Sequence, residues 1–161
     1  MRRTKQLLSQ RASARKEEIF NAVCEDAAED LDADLVSIWT FDSDLSQIEC
    51  QSRFDAIDNS YSKGLLLKRS EYPNYFRAIV EDNLVNAPNA RIQNATKEFT
   101  DSYFIPNGIR SLLDFILHKD FTPIGIICCE NRRSIRHWSA EDENYLRTIA
   151  TLTSFLFEPT L

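Results

Sequence analysis

The sequence predicts an α+β fold: a central antiparallel sheet with the terminal helices on one face and, on the other, a loop-rich lid with a short helix. Three observations predict it. Near both ends, apolar residues recur at the i, i+4 spacing of amphipathic helices. Between those ends lie four β-branched, aromatic or apolar runs, at residues 35–41, 47–53, 111–118 and 123–131, each of strand length. Residues 54–105 hold one strong helical pattern in an otherwise irregular, polar stretch. A connection that long over a sheet is unusual in a compact domain and tends to carry function.

The elements follow in order. Ile19, Val23, Ala27 and Leu31, with Phe20 and Ala28 alongside, predict one long helix over about residues 4–32. Its part before Arg15 is weakly apolar and is expected to pack on a second copy of itself. Leu35–Phe41 then changes period to that of a strand, Asp42-Ser43-Asp44 reads as a turn, and Gln47–Arg53 pairs back. Ser70 is placed to cap a helix over about residues 71–81, with Pro73 in the first turn and Tyr72, Phe76, Ile79 and Val80 on the apolar face. Leu84-Val85 is a short extended piece. A loop follows, with a short helix near residues 97–103, and Pro106-Asn107-Gly108 is a turn. Ser111–His118 and Pro123–Asn131 are nearly continuous apolar runs joined by Lys119-Asp120-Phe121-Thr122, which predicts a hairpin. Ser139 is a good N-cap, and Glu141, Asp142 and Glu143 sit at the positive end of the helix dipole. Leu146, Ile149, Thr153 and Leu156 form that helix's buried stripe, and Pro159 stops it.

Composition bounds function. A chain of 161 residues suits one domain. We divide it into a basic, helical N-terminal extension over residues 1–16 and a domain over residues 17–158. The three glycines are isolated, so neither a phosphate-cradling P-loop nor a dinucleotide fingerprint is present. The net charge is −6. The first 16 residues hold six of the 19 basic residues (Arg2, Arg3, Lys5, Arg11, Arg15, Lys16) and none of the 25 acidic ones. The acidic remainder repels phosphate backbones, so no nucleic acid is expected on the core. The basic start reads as the solvated face of a helix. No apolar run reaches the roughly 20 residues of a membrane span, and no signal-peptide core occurs, so a cytoplasmic protein is expected. Cys24, Cys50, Cys128 and Cys129 show no CxxC spacing and read as free core thiols.

At this point the residues resemble a known family. Gly108-Ile109-Arg110-Ser111-Leu112-Leu113-Asp114, then Gly125-Ile126-Ile127-Cys128-Cys129-Glu130, then Arg136-His137-Trp138 and Glu141-Asp142-Glu143 resemble the distal half of a GAF domain of the bacterial signal-transduction type. Glu71–Phe76 is similar to the start of that family's second helix. The chain departs from the pattern at Phe115-Ile116, where the family often has a hydrophobic residue followed by proline. The resemblance implies a profilin-like sheet of about six strands, a small-molecule cavity beneath the lid, a homodimer through the terminal helices, and regulation of an output signalling domain in cis or trans. It implies a sensory module rather than an enzyme, and the cofactor is unknown. Two alternatives stay open: a free methionine-(R)-sulfoxide reductase-like GAF enzyme using a thiol pair, and a pocketless GAF-like dimerisation module.

The residues themselves nominate a site. Ser37 and Trp39 share one strand face by period 2, and so do Cys128 and Glu130, whereas Cys128 and Cys129 point to opposite faces. Asp114 interrupts an apolar strand, and a buried carboxylate costs several kcal/mol unless it is partnered. Its partner is either lid backbone amides, Arg110 or Arg53, or else it anchors a ligand. Glu130 is expected to pair with Arg136 at the strand end. The aromatic residues Tyr61, Tyr72, Tyr75, Phe76, Phe99, Tyr103 and Phe104 lie in or beside the lid and suit either a small-molecule pocket or a self-filling lid. The candidate ligand-binding residues are Ser37, Trp39, Tyr72, Tyr75, Phe76, Tyr103, Asp114, Cys128 and Glu130. His118 and His137 sit beside charges and form no metal-ligand spacing. No cysteine is followed directly by a histidine, the Cys-His pair that bilin attachment in the family resembles, and no Ser/His/Asp grouping occurs.

Overall fold

A computed structural model describes residues 1–10 and 13–155. Arg11, Leu156, Pro159 and the domain boundary at residue 158 lie outside the described residues. The predicted single leading helix is two: α1 (Arg2–Ser9) and α2 (Lys16–Leu31). Helix α2 starts with a local capping box of Arg15 and Glu18, and α1 docks on α2 through tertiary contacts. Asp26 of α2, 1% exposed, accepts from the Thr4 amide and the Thr4 hydroxyl, both at 2.7 Å, so α2 supplies the cap that the start of α1 lacks. Leu7, Leu8 and Ala14 are half-buried against the same core that α2 serves. The early segment therefore finds packing within its own chain, which its weak apolar pattern did not predict. Arg3 pairs with Glu25, Asp26 and Glu29, so part of the basic start faces the acids of α2. Among the described residues no helix is long and apolar enough to cross a membrane.

The sheet is antiparallel and contains β1 (Leu35–Phe41), β2 (Gln47–Asp55), β3 (Ser60–Ser62), β4 (Leu66–Lys68), β5 (Leu84–Ala87), β6 (Ser111–Lys119) and β7 (Thr122–Asn131). Its order is β3-β2-β1-β7-β6-β5, with β4 joining β2 beside β3. The two short edge strands occupy the stretch expected to be irregular. Trp39 faces Cys50 and Ile38 faces Ser52, so Gln51 is an extra residue in β2. This bulge keeps Ile48 and Cys50 on one face while Ser52 and Phe54 turn to the other. Gly125 lies where β7 meets β1: a Cβ there would stand 2.3 Å from the Trp39 carbonyl oxygen, so no other residue fits without moving backbone. The β6–β7 hairpin turns on Asp120 (φ 49°) and Phe121 (φ 65°), a left-handed pair that matches strand twist.

Strict alternation sorts the side chains into two cores. Val36, Ile38, Leu113, Leu117, Ile127 and Cys129 meet α2 and α5 (Ala140–Ser154) on the helix face. Leu35, Trp39, Leu112, Ile116, Ile126 and Cys128 face the lid. Leu146, Ile149 and Thr153 of α5 are buried as its spacing predicts. Ser139 caps it, accepting from the Asp142 amide at 3.1 Å. The lid consists of α3 (Pro73–Asp82), a 3-10 turn (Lys97–Phe99), a π turn (Thr100–Phe104) and α4 (Ile105–Asn107), closed by Gly108 at φ 70°. Helix α3 starts at Pro73, later than expected, with Tyr72 and not Ser70 at the cap. Proline prefers the first helical position and disfavours helix in the residue before it. Tyr61 also departs from expectation: its ring lies tilted against Phe54, centroids 5.0 Å apart, and it bonds Glu25 of α2, on the helix face rather than in the lid.

Candidate functional site

The site forms where the lid meets the middle of the sheet. Asp114 of β6 stands opposite Cys128 of β7, and Leu112 opposite Glu130, so the two carboxyls are diagonal neighbours on the lid face. Asp114 is 1% exposed and Glu130 0%. The lid supplies one tyrosine to each: Tyr75 of α3 donates to Asp114 Oδ2, and Tyr103 of the π turn donates to Glu130 Oε1 at 3.1 Å. The other carboxyl oxygens, Asp114 Oδ1 and Glu130 Oε2, have no hydrogen-bond partner. Both residues line a cavity of about 20 Å³, walled by Trp39, Tyr75, Phe99, Tyr103 and Phe104 and completed by Ile48, Leu67, Leu112 and Cys128. That volume holds one water-sized object.

The lid is fastened at several points. Glu98 accepts from the amides of Asn74 and Tyr75 at 3.2 and 3.4 Å, satisfying the N-terminus of α3 from the opposite side of the lid. Tyr72 stacks on Phe99 at 4.1 Å, and its hydroxyl bonds Ser102 at 2.8 Å. Arg53 of β2 lies 5.6 Å from the Tyr103 ring centre and donates to Asn107 at 2.8 Å. Thr96, fully buried, ties the loop by donating to the Ala90 carbonyl at 2.6 Å.

Burial sets the charge state. Desolvation pushes the Asp114 carboxyl well above the usual carboxylate range, against the opposing pull of the adjacent Cys128 thiol and the Tyr75 hydroxyl. Desolvation also raises Glu130 to about 7, with the Arg53 guanidinium as the largest restraint on that rise. Tyr75, Tyr103 and Cys128 are pushed well up by burial, and neighbouring carboxylate charge adds to it. The cluster is therefore a store of protons in an apolar box. Among the described residues no three His, Cys, Asp or Glu side chains converge as a metal site would need.

Of the nine residues predicted from sequence, six surround this cavity: Trp39, Tyr75, Tyr103, Asp114, Cys128 and Glu130. Ser37 lies beneath it, accepting from the Trp39 indole N–H at 2.7 Å. Tyr72 and Phe76 pack within the lid core without lining the cavity. Two expected ion pairs are not formed. Asp114 bonds Tyr75 rather than Arg110 or Arg53. Arg136 stacks on Trp138 at 4.0 Å and pairs with Asp142, not Glu130, because Glu130 points to the lid while Arg136 lies on the α5 side. Sequence reasoning missed Ile48, Leu67 and Leu112. Period 2 from Asp114 would have found Leu112, whereas Leu67 arrives on a three-residue strand that carries no such signal.

With this geometry in hand, a comparison with protein families matches residues 15–155 to the GAF domain. The chain belongs to the GAF domain family. Solved structures carry the same fold. The GAF domain of Acinetobacter phosphoenolpyruvate-protein phosphotransferase superposes with a TM-score of 0.73 at 16% identity, covering 96% of this chain and 88% of that one. A methyl-accepting chemotaxis protein gives 0.75 at 14% identity, covering 93% of each. The chromophore-binding domain of Stigmatella aurantiaca bacteriophytochrome gives 0.72 at 16% identity; 96% of this chain is covered but only 58% of that one. No curated protein matches the chain. At these identities the likeness speaks for the GAF fold, a sheet with helices on one face and a covered cavity region on the other.

Proposed function

We propose that the protein is a sensory or regulatory GAF module that binds a small molecule beneath its lid, dimerises through its terminal helices and passes the change to an output signalling domain in cis or trans. The observation that carries this reading is the pair of buried carboxyls, each with one unpartnered oxygen on an aromatic-walled cavity. A buried acceptor without a partner costs about 1–3 kcal/mol, a cost that a ligand able to donate hydrogen bonds would relieve. The cavity holds only one water-sized group, so anything larger enters by displacing the lid, whose α3 and π-turn tyrosines are the groups holding it down. The chemotaxis, phytochrome and phosphotransferase relatives fit a regulatory role. The test is native mass spectrometry with a thermal-shift screen of small polar molecules, alongside light scattering for the dimer. Saturable stabilisation that disappears in Asp114→Asn supports the reading; a monomer that no small molecule stabilises overturns it.

The small cavity volume favours a second reading, a GAF-like module whose pocket is filled and which serves only to dimerise or dock. There, Asp114→Asn and Glu130→Gln would leave dimerisation unchanged and no ligand would be found. The thiol-enzyme reading meets a physical obstacle. All four cysteines are buried, and burial raises Cys24 beyond the usual thiol range, Cys50 to about 12, and Cys128 and Cys129 well up, so the nucleophilic thiolate is suppressed. An aromatic disulfide reagent at pH 8 should label none of the four native thiols within minutes and all of them after denaturation. Rapid labelling of Cys128 in the folded protein would restore the enzyme reading.

A further inference from the structure

The hydrogen-bonding inventory of the cavity narrows what it can hold; the inference rests on the ligand-binding reading above. Every strong donor that lines it is already engaged. The Tyr75 hydroxyl donates to Asp114, the Tyr103 hydroxyl to Glu130 and the Trp39 indole N–H to Ser37. What remains are Asp114 Oδ1 and Glu130 Oε2, which act as acceptors once their carboxyls ionise, with the weak Cys128 S–H beside them. The rest of the wall is aromatic faces and aliphatic carbon. At a pH where the carboxyls ionise, an anion would meet like charge and no strong free donor. The ligand group must therefore be rich in N–H or O–H bonds, about the size of a water, and at ease against aromatic rings. A compact cation with N–H bonds meets all three conditions, because ring faces attract cations.

We propose that the site between Asp114 and Glu130 binds an ammonium group, either free ammonium or the head of a small primary alkylamine. Its N–H bonds go to Asp114 Oδ1 and Glu130 Oε2, and its remaining faces meet the rings of Trp39, Tyr75 and Tyr103. In the empty site, burial pushes Asp114 well above the usual carboxylate range and Glu130 to about 7, so near neutral pH the pair still holds proton that a bound cation would displace. The titratable and charged groups that face them are Tyr75 from α3, Tyr103 from the π turn, Arg53 from β2, Cys128 from β7 and Arg132 just after β7. Binding the cation favours the ionised form of one carboxyl, so a proton leaves to solvent as the ammonium enters and the charge of the box is conserved. Affinity should therefore rise with pH through about 7 and fall again only when the amine itself loses its proton.

The experiment uses the whole chain in sodium buffer at pH 8, with calorimetry and thermal shift against ammonium chloride, methylammonium, propylammonium, potassium chloride, tetramethylammonium, sodium acetate and acetamide. Ammonium or a primary amine is expected to bind saturably and at least about tenfold more tightly than potassium, because potassium has no N–H to donate. In a parallel titration at pH 6 the binding heat should change with the buffer's ionisation enthalpy in proportion to up to about one released proton, and the dependence should shrink at pH 8. Affinity that rises with alkyl length assigns the site to an amine head; affinity confined to ammonium and methylammonium assigns it to the free ion. Asp114→Asn and Glu130→Gln should each weaken binding at least about tenfold. As a readout that needs no variant, ¹⁵N-ammonium should give a bound proton signal with cross-relaxation to the Trp39 and Tyr103 rings. Equal binding of potassium, or binding of acetate or acetamide with none of ammonium, overturns the ammonium assignment and leaves the ligand-binding reading intact. No binding by any probe, with no bound ¹⁵N signal, overturns the ammonium assignment, and the broader screen above then decides the ligand-binding reading separately.

Discussion

Glu130 is the residue whose replacement tells most about the site. Its carboxyl is fully buried, and burial lifts it from an ordinary 4.5 to about 7. A carboxyl raised in this way supports the native state fully below its unfolded value, and that support is lost as pH rises toward its folded value. The gap corresponds to about 3 kcal/mol at most. Glutamine has no charge to desolvate. Glu130→Gln should therefore match the wild type near pH 4.5 and be more stable by up to about 3 kcal/mol at pH 8, or about 5–10 °C in Tm. Calorimetric melting at the two pH values checks it; equal stability of the variant and wild type at pH 8 would mean that Glu130 is ionised and satisfied in the native state. Asp114 was legible in the sequence because it interrupts an apolar strand, and period 2 put Trp39 with Ser37 and Glu130 with Cys128, although Glu130 was expected to pair with Arg136 at the strand end. Their partners were not legible. Which hydroxyl meets which carboxyl depends on a π turn that swings Tyr103 inward and on the entry of α3, and neither leaves a periodic trace.

At the scale of elements, helix α1 shows where local signals stop. Strands β6 and β7 were readable because their apolar runs are continuous, and α5 because Ser139 and three acids announce its start. The end of α1 has no glycine or proline, and what docks its first turn is Asp26, more than twenty residues away. Strands β3 and β4 were unreadable for a related reason: three-residue edge strands with mostly exposed side chains carry no alternation. Asp26 thus decides whether α1 docks. Burial pulls its carboxyl up, but the Thr4 amide, the Thr4 hydroxyl and Arg3 outweigh that and hold it below the usual carboxylate range. The stability it contributes is present at neutral pH and lost as pH falls through that lowered value. The Arg3 pairs with Glu25 and Glu29 are exposed enough to add little. Asp26→Asn should cost about 2 kcal/mol, the worth of charge-assisted bonds to a buried acceptor. Hydrogen exchange should quicken across α1 while β1, β6 and β7 keep their protection. Unchanged protection in α1 would show that Leu7 and Leu8 alone hold it down.

The whole molecule is two cores divided by one sheet, so a change under the lid reaches the terminal helices only where an element touches both. Strand β5 is such an element. It follows α3 directly after Asn83 and carries Val85 and Ala87 into the lid-side core. Between them, Asn86 turns the other way and donates to Glu143 in the first turn of α5 at 2.8 Å and to the Trp138 carbonyl at 3.4 Å. Because α3 also carries Tyr75, which holds Asp114, loosening that bond should be felt at the start of α5. Hydrogen exchange can follow this without any ligand. Tyr75→Phe should speed exchange in α3 and, by about fivefold, in the first turn of α5, a coupling of about 1 kcal/mol. In an Asn86→Ala background the same change should still loosen α3 but leave α5 untouched. Persistence of the α5 effect without Asn86 would place the coupling in the sheet itself, through the paired faces of β6 and β7 rather than through its edge.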